Sequence, residues 1–110
     1  MSQGPNPPDH AVASVFWPPP VPTIGQIVLY RLDAADVRAI CRRRLGVPTR
    51  EPAVRAGDLL PAIIVRVNGD DADASCNLHV FLDGYVTHWA RDVHRGDEDG
   101  TWAWPVRAGG

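Results

Sequence analysis

The sequence predicts a mainly β fold: a small SH3-like or OB-like barrel of about five strands, with one short helix inserted after the first strand and an extended Pro-rich N-terminal arm. Three observations carry that expectation. Short runs rich in β-branched and aromatic residues recur from residue 24 onward, separated by Gly, Asp and Asn turn signals. Residues 34–45 alone show apolar residues at helical spacing behind a capping residue. Seven of the eleven prolines (Pro5, Pro7, Pro8, Pro18, Pro19, Pro20 and Pro22) crowd the first 22 residues. The chain therefore divides into an arm (1–22), a small β-barrel domain (23–107) and a short tail (108–110). A domain of that size is near the lower limit for independent stability.

Within the arm, an apolar patch at Val12, Val15, Phe16 and Trp17 precedes Pro18, Pro19 and Pro20. Proline fixes φ and removes the amide donor, so this run favours polyproline II. A free tail would leave Phe16 and Trp17 as bare apolar surface. The composition suits a disordered tail; alternatively, the arm is an extended strap whose Phe16 and Trp17 plug a groove on a neighbour, or the pair folds back on its own domain.

Ile24 to Leu32 reads as the first strand, with Ile24, Gln26, Val28 and Tyr30 on one parity, Ile27 and Leu29 on the other, and Gly25 marking a bulge or close approach. Asp33 is the expected N-cap, with Asp36 three residues on as a shorter version of the capping box. From Ala34 to Leu45, the residues Val37, Ile40, Cys41 and Leu45 form one apolar stripe, which makes Cys41 a small buried hydrophobe. Arg42, Arg43 and Arg44 complement the negative end of the helix dipole, and Gly46 is the stop. Residues 46–57 form a loop.

Leu59 to Val67 is the strongest strand signal, with Pro61 expected at an edge or near the strand's start. Asn68-Gly69-Asp70-Asp71 turns the chain. Asn77 to Leu82 and Tyr85 to Val93 pair across the Asp83-Gly84 hairpin signal. Gly96 to Gly100 turns once more, and Thr101 to Val106 closes the barrel, removing exposed edges. Trp102 and Trp104, two apart, share a face of that last strand.

The formal net charge of −2 gives no strong global field for holding nucleic acid, although all eleven basic residues are Arg and none is Lys. Cys41 and Cys76 lack a CxxC spacing and cannot form a zinc site alone. No signal peptide and no apolar stretch near 18 residues is present, so a cytoplasmic origin with reduced thiols is expected and no membrane partner.

Candidate chemistry is sparse. His88, Asp92 and His94 share a parity, but residues six apart lie about 20 Å apart along a strand, so surface histidines are expected rather than a metal site. Asp71, Asp73 and Ser75 imitate the start of a calcium loop, yet Cys76 stands where Gly is required and Leu82 where a bidentate Glu is required. Ser14, Ser75, Cys41 and Cys76 have no recognisable base and orienter, and no phosphate-binding Gly-rich loop occurs. The expectation is no enzyme and no cofactor. The basic cluster of Arg38, Arg42, Arg43, Arg44, Arg50 and Arg55 offers phosphate contacts, an anchor for an acidic patch on a partner, or simply a solvated helix end. Trp89, Trp102 and Trp104 offer stacking surfaces, but at least two of them are expected in the core.

Several segments in succession resemble a family of small, mostly uncharacterised proteins of actinobacterial tailed phages and prophages. They are Val28-Leu29-Tyr30, then Ile40-Cys41-Arg42-Arg43-Arg44, then Gly57-Asp58-Leu59-Leu60-Pro61-Ala62-Ile63-Ile64-Val65-Arg66, then Asn77-Leu78-His79-Val80-Phe81-Leu82-Asp83-Gly84, and finally Gly100-Thr101-Trp102-Ala103-Trp104-Pro105. The resemblance spans residues 24–105 and leaves the arm outside. The family's Trp-His-Trp-Pro-like ending is Trp102-Ala103-Trp104-Pro105 here, one histidine fewer. The resemblance implies a phage-encoded virion component made in the bacterial cytoplasm. A minor capsid or decoration protein that stabilises the shell is the leading expectation. The major capsid protein or another virion protein would be its partner, contacted through Phe16, Trp17, Pro18, Pro19, Pro20, Arg42, Arg43 and Arg44, with homo-oligomers also open. The alternatives are an early accessory protein that binds nucleic acid or a host factor through the Arg cluster, and a tail or connector component.

Overall fold

A computed structural model describes residues 20–46, 50–84 and 86–105. Five strands and one helix follow in the order β1 (Ile27–Arg31), α1 (Ala34–Arg44), β2 (Leu59–Val67), β3 (Cys76–Phe81), β4 (Thr87–Val93) and β5 (Trp102–Ala103). The strands form one antiparallel sheet in the order β4-β3-β2-β1-β5. The mainly β fold with a single helix after the first strand is as expected, but the closed barrel is not formed. β4 and β5 are the two edges and share no ladder. The backbone after β4 does approach β5: Trp102 N donates to His94 O (3.1 Å) and Gly96 N to Trp102 O (2.9 Å). Closure stops there because β5 is two residues long and Pro105 has no amide to extend it.

The element boundaries follow local chemistry. β1 starts at Ile27 rather than Ile24, because Thr23–Gln26 is a turn: Gln26 N donates to Thr23 O, and Gly25 takes φ +96°. Ile24 is left exposed by that turn. The capping box of α1 is complete. Asp33 Oδ1 accepts from Asp36 N (2.8 Å), and Asp36 Oδ2 accepts from Asp33 N (2.9 Å). Gly46, at φ +74°, follows the last turn as predicted. The inward stripe is narrower than expected: Ile40 is buried and Val37 partly so, whereas Cys41 and Leu45 are exposed. Asp36 and Arg44 take the remaining inward positions, one turn either side of Ile40, so Cys41 is turned to solvent.

Pro61 sits third in β2, opposite Leu29 of β1 and just before the β2–β3 ladder begins at Ala62. Its missing donor therefore interrupts no pair of the β2–β3 ladder. β2 and β3 shift register between Ile64 and Arg66, and β3 and β4 between Cys76 and Leu78. Asp92, at φ +52°, marks the second irregularity and turns Val93 back towards the core.

One face of the sheet holds that core. Val28, Tyr30, Leu32, Ala62, Ile64, Cys76, Leu78, Val80, Ala90, Val93 and Trp102 are buried there with Ile40 of α1 and Leu82 beyond β3. Trp102 is fully buried, and Trp104 packs edge-on against it at 5.0 Å between ring centroids and 88° between planes. Of Trp89, Trp102 and Trp104, at least two of which the sequence places in the core, Trp102 lies in it, Trp104 packs against it, and Trp89 is outside.

Candidate functional site

The opposite face of the sheet is the candidate site. Cross-strand register lines up Ile27, Ile63, His79 and Trp89 in one row over four strands, with Leu29 and Pro61 paired beside it. Nothing among the described residues covers this row. Ile27 is 50% exposed, Leu59 46%, Phe81 42% and Trp89 54%. Scattered single apolar residues on a surface are ordinary, but a contiguous patch that spans a sheet marks an interaction surface. Arg91, two residues along β4, lays its guanidinium over Trp89 at 5.1 Å from the ring centroid. The face is therefore apolar over β1 and β2, carries the exposed His79 imidazole on β3, and is cationic at the β4 edge. A shallow groove of about 690 Å³ lies at one end of the sheet, lined by Val21–Ile24 and by Val65, Arg66 and Val67.

A polar network lies on the core face, between β1, α1 and β4. The Tyr30 hydroxyl donates to Asp36 Oδ2 (2.5 Å), which also takes the Asp33 amide (2.9 Å). Asp36 Oδ1 lies 2.8 Å from His88 Nε2, and His88 Nδ1 lies 3.3 Å from Arg43 Nη2. A guanidinium only donates, so Nδ1 accepts and the imidazole proton sits on Nε2, pointed at Asp36. Burial opposes the charge on Asp36, but the donors from His88, the Asp33 backbone and Tyr30 outweigh it and hold the carboxyl at about 2, below its ordinary 3.8. Burial, with Asp36 as acceptor and the charges of Asp36 and Asp33, pushes the Tyr30 hydroxyl well above its ordinary 10.0. His88 is thus buried and paired, which corrects the expectation of a surface histidine. The pair has the form of a base and its orienter, but the outer nitrogen that would receive a proton from a nucleophile is met by Arg43 instead. The arrangement ties the helix to the sheet.

The other sequence candidates fall apart in space. His88 points inward, His94 is exposed, and Asp92 accepts from Asn68 Nδ2 at 3.2 Å. No group of three or more His, Cys, Asp or Glu residues placed to hold a metal ion occurs among the described residues. Asp71 accepts the amide of Asp73 inside its own turn, and Asp73 pairs with Arg95 at 3.1 Å. Burial pushes the Cys76 thiol up, away from the reactive thiolate, while Cys41 is a free thiol on the helix surface.

Of the predicted contact residues, Phe16, Trp17, Pro18 and Pro19 lie outside the described residues, and Pro20 is exposed at their boundary. The three arginines serve different ends. Arg44 donates to Pro52 O (3.0 Å) and pairs with Glu51 (2.7 Å), pinning the following loop. Arg43 meets His88, and Arg42 is exposed. Arg38, Arg50 and Arg55 are exposed as well. The apolar sheet face went unread in the sequence, although a signal existed. β2 is apolar on both parities, with Leu59, Pro61 and Ile63 alternating with Leu60, Ala62 and Ile64. A strand with one wet face alternates apolar with polar, so this pattern announces that both sides seek cover. No helix among the described residues is long and apolar enough to cross a membrane. Searched against family models, curated proteins and solved structures, the chain has no match in any of the three.

Proposed function

We propose that this chain is a non-enzymatic docking protein of a tailed-phage particle, a minor capsid or decoration protein that binds the major capsid protein through the outer face of its sheet. The observation that carries the reading is the uncovered row Ile27–Ile63–His79–Trp89, flanked by exposed Leu59 and Phe81. A face of this kind loses free energy by staying in water and gains it by burial against a partner, at about 25 cal/mol per Å² of apolar area. The resemblance of residues 24–105 to phage proteins supplies the particle. Nucleic-acid binding through the Arg cluster is the weaker reading, because Arg43 and Arg44 are engaged within the fold.

The test is quantitative mass spectrometry on gradient-purified particles of the phage that encodes the chain, scored as copies per major capsid protein before and after a salt wash. Apolar docking predicts a stoichiometric ratio that survives the wash, since ionic screening does not weaken it. A few copies per particle would move the protein to the tail or connector. Absence from the particle would overturn the reading.

A further inference from the structure

We propose that the free edge of β4 is a self-association surface: two copies pair β4 with β4, antiparallel, about a two-fold axis at Ala90, so that Trp89 of each copy faces Arg91 of the other. The inference concerns the edge of the sheet and does not rest on the docking reading.

The register shows which backbone groups that edge leaves free. Gly25 N donates to Ile64 O (2.8 Å) and Ile64 N to Gln26 O (2.9 Å), so the backbone of Ile64 points at the β1 side. Backbone groups alternate sides along a strand, and residues directly opposite in an antiparallel pair either both face each other or both face away. Ile63 therefore points at β3, where it meets His79. Leu78 and Val80 then point at β4, where they meet Ala90 and His88. Asp92 N also turns towards β3, donating to Asn77 Oδ1 (2.9 Å). Thr87, Trp89 and Arg91 are left with their amides and carbonyls aimed out of the sheet. β4 has no strand on that side, and these groups have no partner among the described residues.

The side chains then select the occupant and the register. Outward groups can bond only outward groups, so Thr87, Trp89 and Arg91 must face one another across the new ladder. Arg91 against Arg91 sets like charges opposite and is unfavourable. Thr87 against Trp89 brings together the two His88 rings, each already held by Asp36 and Arg43 of its own α1. Trp89 against Trp89 turns each guanidinium towards Thr87 and away from the facing ring. Trp89 against Arg91 sets a guanidinium beside each ring, twice by symmetry. Both side chains are exposed, and they already make this contact along one strand, at 5.1 Å from the Trp89 centroid. The same register brings Ala90 to Ala90, the smallest side chain of β4, which leaves room for the strands to approach. Each facing pair of outward residues exchanges two backbone hydrogen bonds. A two-fold pairing consumes the free edge of both copies and ends there, and the irregularity at Asp92 keeps the ladder short. So small a contact makes a weak, reversible dimer.

Sedimentation velocity and amide hydrogen exchange of the full chain, followed over a dilution series, test the pairing. The expected result is a monomer–dimer equilibrium in which exchange at the Trp89 and Arg91 amides slows as the dimer forms. The Ile64 amide, already bonded to Gln26, should not respond. Filtered NOEs between labelled and unlabelled copies should link the Trp89 ring to the Arg91 side chain. Arg91→Glu should weaken the dimer by about tenfold or more, since the contact is lost twice. Arg91 is exposed, so the variant should melt close to the native chain. A monomer at every concentration overturns the proposal. A dimer whose Trp89 and Arg91 amides stay unprotected also overturns it, because the contact then lies on another surface. Protection that does not vary with concentration does the same, because the edge is then held within one chain. An Arg91→Glu dimer as tight as the native one rules out the register centred on Ala90. None of these results depends on whether the protein is found in a particle.

Discussion

His88 Nε2 meets Asp36 Oδ1 at 2.8 Å, a contact between residues 52 apart in sequence that joins β4 to the first turn of α1. It joins the farthest edge strand to the one helix. Asp36 is also the residue that closes the capping box, so one carboxylate both starts the helix and docks it. His88→Ala leaves that buried carboxylate short of a donor. The expected cost is about 1.5–3 kcal/mol, the usual range for a hydrogen bond to a charged group. Urea unfolding measures it, and a cycle with Asp36→Asn should show strong non-additivity because both changes remove the same contact. Additive losses would mean that the two side chains do not act as a pair.

The same carboxylate sets the acid limb of stability. Asp36 is held at about 2 in the folded state against an ordinary 3.8, so its contribution is present in full above the ordinary value and is lost as the pH falls towards 2. The linked free energy is about 2 kcal/mol. Tyr30 acts in the opposite direction. Its folded pKa is raised, so its contribution is complete below pH 10 and declines as the pH rises beyond that, where the unfolded phenol ionises and the folded one keeps its proton. Tyr30→Phe should remove the alkaline decline and, by taking one donor from Asp36, shallow the acid one. Unfolding midpoints measured from pH 2 to 11 test both limbs, and an unchanged alkaline limb would rule out this role for Tyr30.

A turn at each end of α1 depends on glycine. Gly100 takes φ +81°, its amide donates to Arg31 O at 2.7 Å, and a Cβ built there would lie 3.0 Å from Asp33 Oδ2. Gly100→Ala is therefore strained in backbone and crowded against the N-cap, and should cost about 1–3 kcal/mol. Gly46 also has positive φ, but no atom lies within 4 Å of its Cβ position, so Gly46→Ala should cost about 1 kcal/mol. Thermal melts of the two variants give the ordering directly. Equal losses would mean that the Asp33 contact does not matter.

Most of the element order was legible because its signals are local. Asp33 and Asp36 declare the helix start, Gly46 its end, and Asp83-Gly84 the β3–β4 turn. What escaped was the choice of face. β4 carries Trp89 on one parity and His88 with Ala90 on the other, so a reading by hydropathy turns Trp89 inward. The structure does the reverse. His88 is admitted to the interior because Asp36 and Arg43 satisfy both ring nitrogens, and neither neighbour is visible from within the strand. The irregularity at Asp92 then returns Val93 to the core, against simple alternation. Cys41 went astray for a related reason: the helix buries Asp36 and Arg44 for their partners, and the stripe of apolar residues is displaced accordingly. Barrel closure depended on a last strand that Pro105 cuts short.

The two sides of the sheet should respond in opposite ways to loss of an aromatic ring. Trp102 is fully buried and packs against Trp104, so Trp102→Ala should cost about 3–5 kcal/mol and threaten folding. Trp89 is more than half exposed and touches Arg91, so Trp89→Ser should change stability by less than about 1 kcal/mol. Binding to particles should reverse the order, with Trp89→Ser weakening it at least tenfold, as expected of an exposed aromatic anchor. Undiminished particle binding by the folded Trp89→Ser protein would remove the outer face from the docking reading.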